Sequence, residues 1–169
     1  MKVTESKAWD AAEWEYSALQ ADILAPFFSA PMSPDQIVSR LRNIARRCPQ
    51  YYPAHIELGI RLLCRKRSRG AEQMIDKGFR LMMELADPKH HAKNMDGIIE
   101  NLEKIWHFDI SRRLLLMLAD RQSLGADLLD SLAHAEARLG DLDAALLHIQ
   151  EARFTPGAQA TTESYATFH

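Results

Sequence analysis

Leu128-Leu129-Asp130-Ser131-Leu132-Ala133-His134-Ala135-Glu136-Ala137-Arg138-Leu139-Gly140-Asp141-Leu142-Asp143-Ala144-Ala145-Leu146-Leu147-His148-Ile149-Gln150-Glu151-Ala152 reads as two amphipathic helices joined by a tight turn. Leu128, Leu129, Leu132, Ala135 and Leu139 recur at helical spacing in the first segment, and Leu142, Ala145, Ile149 and Ala152 in the second. Gly140 can take the left-handed conformation that ends a helix, and Asp141 can cap the next. Ala133, Ala145 and Ala152 are small where two helices would approach closely, and Pro156-Gly157 stops the second helix.

The pattern repeats. Thirty-four residues upstream of Leu132-Ala133, Ala145, Ile149 and Ala152 stand Ile98-Ile99, Ser111, Leu115 and Leu118. Forty further upstream stand Leu58-Gly59, Ala71, Ile75 and Gly78, and the six extra residues are Ala86 to His91. Another step of 34 reaches Ile37, Leu41 and Ile44. Pro49, Pro88 and Pro156 each follow a second helix. With Leu132-Ala133, Gly140-Asp141, Ala145, Ile149 and Ala152 as its best match, the chain resembles the tetratricopeptide repeat family, whose unit is a helical hairpin of about 34 residues. The resemblance implies an all-α solenoid of antiparallel hairpins. A single domain is expected over 1–157, with an N-terminal helix and loop over 7–32, a helix over 34–47, and hairpins over about 52–85, 92–123 and 126–155. The tail 158–169 has no apolar period and is expected to be flexible. An ordinary helical bundle with coincident spacing is the alternative.

The whole-chain properties fit one globular domain of 169 residues, 47% apolar and 26% charged. No run approaches the ~18 apolar residues of a membrane span. The start Met1-Lys2-Val3-Thr4-Glu5-Ser6-Lys7 leads into a charged helix and not into a signal peptide's apolar region, so the expected compartment is the cytoplasm. Cys48 and Cys64 are too far apart along the expected helices to bond, and are predicted to be free, small, buried residues. The net charge of −2 hides an asymmetry: residues 36–80 hold eleven Lys/Arg against three Asp/Glu. Either the acidic flanks neutralise this middle, or it offers a basic patch of Arg40, Arg42, Arg46, Arg47, Arg65, Lys66, Arg67 and Arg69 to an acidic partner.

In the first helix Trp9, Trp14, Ala18, Ala21 and Leu24 can share a face, and both tryptophans are expected to cap the open end of the array. Ala25 to Met32 should form an apolar loop that holds Pro26 and Pro31 around Phe27-Phe28. Ser33-Pro34-Asp35-Gln36 is a capping box with proline in the first turn. Pro53 opens a helix apolar on more than one side, expected to be central. Trp106 and Phe108 flank a turn that they should lock.

No catalytic constellation, phosphate-cradling loop or metal motif is present, and neither enzymatic activity nor a cofactor is expected. His90-His91 reads as a surface loop. The least implausible enzyme reading places an acid–base site on the face shared by Asp130, His134 and Arg138. The family resemblance instead implies a concave surface lined by each hairpin's first helix. Its candidates are Ile56, Ile60, Leu63 and Cys64, then Asp96, Glu100, Glu103 and Lys104, then Asp130, His134, Ala137 and Arg138. One branch of the family grips acidic chaperone tails through cationic and amide side chains, but the matching places here hold Ile56, Ile60, Asp96, Glu100, Asp130 and His134, so that clamp is missing. The expected function is binding of a peptide or helical segment bearing basic and apolar residues, as an adaptor or small chaperone. The chain's own N-terminal helix or tail could fill the apolar end. Nucleic-acid binding through the Arg40–Arg69 region is the alternative.

Overall fold

The computed structural model describes residues 3–24, 31–65 and 70–155, with side chains from residue 6 onward. Among them the regular structure is wholly helical, and no helix is long and apolar enough to cross a membrane. Residues 25–30 of the apolar loop expected over 25–32, the cations Lys66, Arg67 and Arg69, and the tail lie outside the described residues. The chain divides into two compact units, Met1–Ala86 and Asp87–His169.

The first unit holds α1 (Val3–Leu24), α2 (Pro34–Arg47), α3 (Tyr52–Cys64) and α4 (Ala71–Leu85). Ser33 starts α2 with the full reciprocal cap: Gln36 N–H donates to Ser33 Oγ (3.2 Å) and Ser33 N–H to Gln36 Oε1 (2.7 Å). Ile37, Val38, Leu41 and Ile44 form its buried stripe. Helix α3 packs against both α2 and α4, and buries Ala54, His55, Ile56, Leu58, Gly59, Ile60, Leu62 and Leu63. The α3–α4 crossing is close enough to require a glycine on each side. A Cβ on Gly59 would lie 2.7 Å from Ala71 O, and one on Gly78 would lie 2.5 Å from Ile56 Cγ1.

Helix α1 buries Ala12 and Leu19 and half-buries Trp9 and Tyr16, which meet Tyr51 edge-on at 5.0 and 5.6 Å. This face differs from the expected one. Trp14 is 74% exposed, and Leu24 is exposed too, because the ring contacts with Tyr51 and Tyr52 turn the Trp9–Ala12–Tyr16–Leu19 stripe inward. Burial pushes the Tyr16 phenol up to about 12 and that of Tyr51 higher still. Cys48 is buried as expected, but Cys64 is exposed at the end of α3; both are free thiols.

The second unit holds a 3₁₀ turn (Pro88–His90), α5 (His91–Lys104), α6 (Phe108–Ala119), α7 (Ala126–Leu139) and α8 (Leu142–Phe154). The sequence placed His90 and His91 together on a surface loop, but His91 opens α5 and is buried, with Nδ1 3.4 Å from Gln122 Oε1. Each helix packs on the next, and α5 also meets α7. The repeat positions Ile98, Ile99, Ser111, Leu115, Leu118, Leu132, Ala133, Ala145 and Ala152 are all buried. Ser111 satisfies its buried hydroxyl by donating to His107 O. Leu139 and Leu142, expected on the apolar stripes, are instead exposed because they flank the solvent-facing turn, Ile149 is half-buried, and Leu146 and Leu147 leave the rest of α8 exposed.

Two interhelical turns of this unit share one geometry. At the end of α7, Asp141 N–H donates to Glu136 O and Gly140 N–H to Ala137 O, with Gly140 at φ 88. At the end of α5, His107 N–H donates to Leu102 O and Trp106 N–H to Glu103 O, with Trp106 at φ 66. This is the two-bond helix ending that glycine normally completes, and here tryptophan fills the left-handed place. For a bulky side chain that conformation costs roughly 1–2 kcal/mol.

Candidate functional site

The residues expected to line a groove fall into two groups. Ile56, Ile60 and Leu63 are each 6% exposed. They belong to the packing of α3 against its neighbours, and Ile56 fills the space above Gly78. Only Cys64 of that set reaches the surface. Asp96, Glu100, Glu103 and Lys104 on α5, and Asp130, His134, Ala137 and Arg138 on α7, are exposed or half-exposed.

These α5 and α7 residues are brought together. His134 Nδ1 lies 3.4 Å from Glu103 Oε2, His91 lies beside Gln122, and the charge of Asp127 acts on Asp96. All three pairs are 31 residues apart, His91–Gln122 joining α5 to the turn before α7 and the other two joining the helices themselves, so α5 and α7 run side by side in the same direction. The face they form has two unlike ends.

At the N-terminal end lie Asp96, Asp127 and Asp130, with Asp127 near enough to act on the other two. Burial, and then the charge of Asp127, raise both Asp96 and Asp130 from their ordinary value, while Arg153 pulls Asp130 partly back. Two carboxyls beside the Asp127 charge make this end of the face one that favours positive charge. Asp127 was not among the residues singled out by sequence. Its role comes from the 31-residue register, which the apolar pattern alone does not fix.

At the other end the rings of Trp106, Phe108 and His134 form a chain. Trp106 and Phe108 meet edge-on at 5.9 Å, and Phe108 and His134 at 5.5 Å. The Arg138 guanidinium lies 4.5 Å from the centre of the Trp106 ring and 5.1 Å from that of Phe108. Phe108 is buried and Trp106 is 70% exposed. Between the two ends Lys104 pairs with Glu100 at 2.8 Å. The Asp130–His134 pairing needed for an acid–base site is not what His134 makes: its partners are Glu103 and Phe108.

Elsewhere in this unit, Glu136 is a buried carboxylate, 1% exposed. His148 Nδ1–H donates to its Oε2 at 2.7 Å, and Arg112 Nε lies 3.6 Å from its Oε1 while Arg112 Nη2 reaches Asp141 at 2.9 Å. This network joins α6, α7, the turn and α8. The sequence reading missed it because the partners are distant along the chain.

The basic region belongs to the first unit, where acidic groups occupy much of it. Arg40 pairs with Asp22 at 2.6 Å, Arg47 with Glu15 at 2.8 Å, and Arg65 with Asp35. Arg46 donates to Asn43 Oδ1. Arg42 and Arg46 line an open hollow of about 500 Å³ with Glu15, Ser39, Arg40 and Asn43. Among the described residues, no three His, Cys, Asp or Glu side chains converge as a metal site. No protein-family model matches the sequence, and no curated protein matches it.

Proposed function

We propose that the protein is a non-enzymatic protein-interaction module. In this reading its hairpins stack in the tetratricopeptide manner, and the face shared by α5 and α7 takes a peptide or helical segment from another protein, as an adaptor or small chaperone would. One observation carries it: two parallel first helices present eight of the expected groove residues together, with carboxylates at one end and exposed aromatic surface at the other. Such a face suits a segment with basic and apolar side chains. The nucleic-acid reading draws less support, because Arg40, Arg47 and Arg65 already have carboxylate partners.

The test is selection of random peptides on the full chain, followed by titration of the enriched peptides against D96K/D130K. Loss of binding with helicity retained supports the face. Unchanged binding moves the site elsewhere. Labelled RNA that binds at low salt and is released by R42E/R46E would favour nucleic acid instead.

A further inference from the structure

We infer that Trp106 is the anchor of a docking site for a protein segment that presents an aromatic or apolar side chain with basic residues about four positions away. The inference rests on the peptide-binding reading and names the chemistry of the segment.

Three observations carry it. First, the turn has no need of the ring: Gly140 completes the same two-bond ending 34 residues later, without the steric cost that tryptophan meets at φ 66. Second, the ring does little for the core. It is 70% exposed, while its neighbour Phe108 is the buried member of the pair. Third, the ring is held ready. Phe108 meets it edge-on, and Arg138 stacks with no carboxylate partner among the described residues. A large apolar ring fixed in water at a conformational cost is an anchor waiting for contact area, the kind of residue that dominates interfaces. The guanidinium leaves N–H groups at its edge to donate to a segment's backbone carbonyls.

Charge complementarity selects the occupant. Eight to ten residues of helix separate Asp96 from Trp106 on one side and Asp130 from Arg138 on the other, roughly 12–15 Å at helical rise. An extended segment covers that distance in about four residues. An apolar side chain against Trp106 therefore puts cations four residues on beside Asp96, Asp127 and Asp130, where they relieve mutual repulsion.

The probes are three labelled synthetic peptides on a Gly-Ser background. One carries Phe and, four residues on, a Lys pair; the second replaces the Lys pair with Glu; the third replaces Phe with Ser. Anisotropy with the full chain should show the first binding at least ten-fold tighter than the others. W106G should lose at least ten-fold in affinity for the first peptide without a lower melting temperature, and R138E should weaken it with helicity retained. Equal binding of all three peptides, no binding of the first, or an undiminished affinity in W106G overturns the inference. Selection of random peptides on parent and W106G separates the two levels. The same sequences enriched on both would keep the peptide-binding reading and remove the anchor, whereas no enrichment on either would remove both.

Discussion

Gly78 lies under Ile56 so closely that a methyl group on the glycine would stand 2.5 Å from Ile56 Cγ1 and 3.0 Å from Ile56 N. Alanine would gain about 1 kcal/mol in helix propensity but meets a wall that is partly backbone. G78A is expected to destabilise the first unit by about 1–3 kcal/mol net, the range for overpacking. I56A should relieve part of this, so the double variant loses less than the sum of the singles. G59A, whose Cβ faces Ala71 O at 2.7 Å, should not be rescued by trimming Ile75. Urea denaturation of the five variants checks these signs.

The Glu136 network predicts an asymmetry. Removing both partners, in R112A/H148A, leaves a buried carboxylate unpaired and should cost about 3–5 kcal/mol. Removing the carboxylate, in E136Q, leaves Arg112 with Asp141 and leaves His148 partly exposed to water, and should cost only about 1–2 kcal/mol. Equal losses by chemical denaturation would show that the pairing is not what holds this place together.

His55 sets a pH dependence. Its ring is buried, Nε2–H donates to Pro49 O, and Nδ1 has no partner. Burial lowers its pKa below the ordinary histidine value of 6.5; the Pro49 carbonyl opposes the shift and Lys77 adds to it. The unfolded chain therefore binds the proton more readily. Stability from this group is complete above pH 6.5 and is lost as pH falls below it toward the folded pKa. H55F should flatten the melting temperature between pH 5 and 7 relative to the parent; an unchanged slope would place the titration elsewhere.

Asp96 and Asp130 have the opposite sign. Their raised pKa values mean that the folded chain holds these protons more tightly than the unfolded one, so stability falls as pH rises from 3.8 through the folded values. D96N and D130N are each expected to raise the melting temperature at pH 7 while weakening a basic peptide. A lower melting temperature in both would mean that these carboxylates serve the fold.

What the sequence made legible were features that short-range chemistry dictates. The Ser33 cap, the left-handed Gly140 and the burial of the repeat positions from Leu58 to Ala152, the half-buried Ile149 excepted, follow from capping geometry and from helical period. Features set by long-range choice were hidden. Helix α3 is apolar on more than one side, so its pattern offered Ile56, Ile60 and Leu63 equally to a core and to a groove, and packing against α2 and α4 took them. Helix α1 carries aromatic residues around much of its circumference, and only the Tyr51 and Tyr52 rings decide that Trp9 turns in and Trp14 out. On the face shared by α5 and α7, the exposure of the α5 and α7 candidates follows from the repeat register. The left-handed Trp106 does not, because residue type argues against that conformation. Glu136 reads as a surface acid until Arg112 and His148 are seen beside it.

The unequal placement of the two thiols gives the molecule a built-in gauge of its own opening. A maleimide added to the native chain should consume Cys64 quickly and Cys48 only when the helices around it part. The slow second equivalent then times the fluctuations of the first unit without any engineered label, and variants such as G78A should shorten it in proportion to the stability they remove.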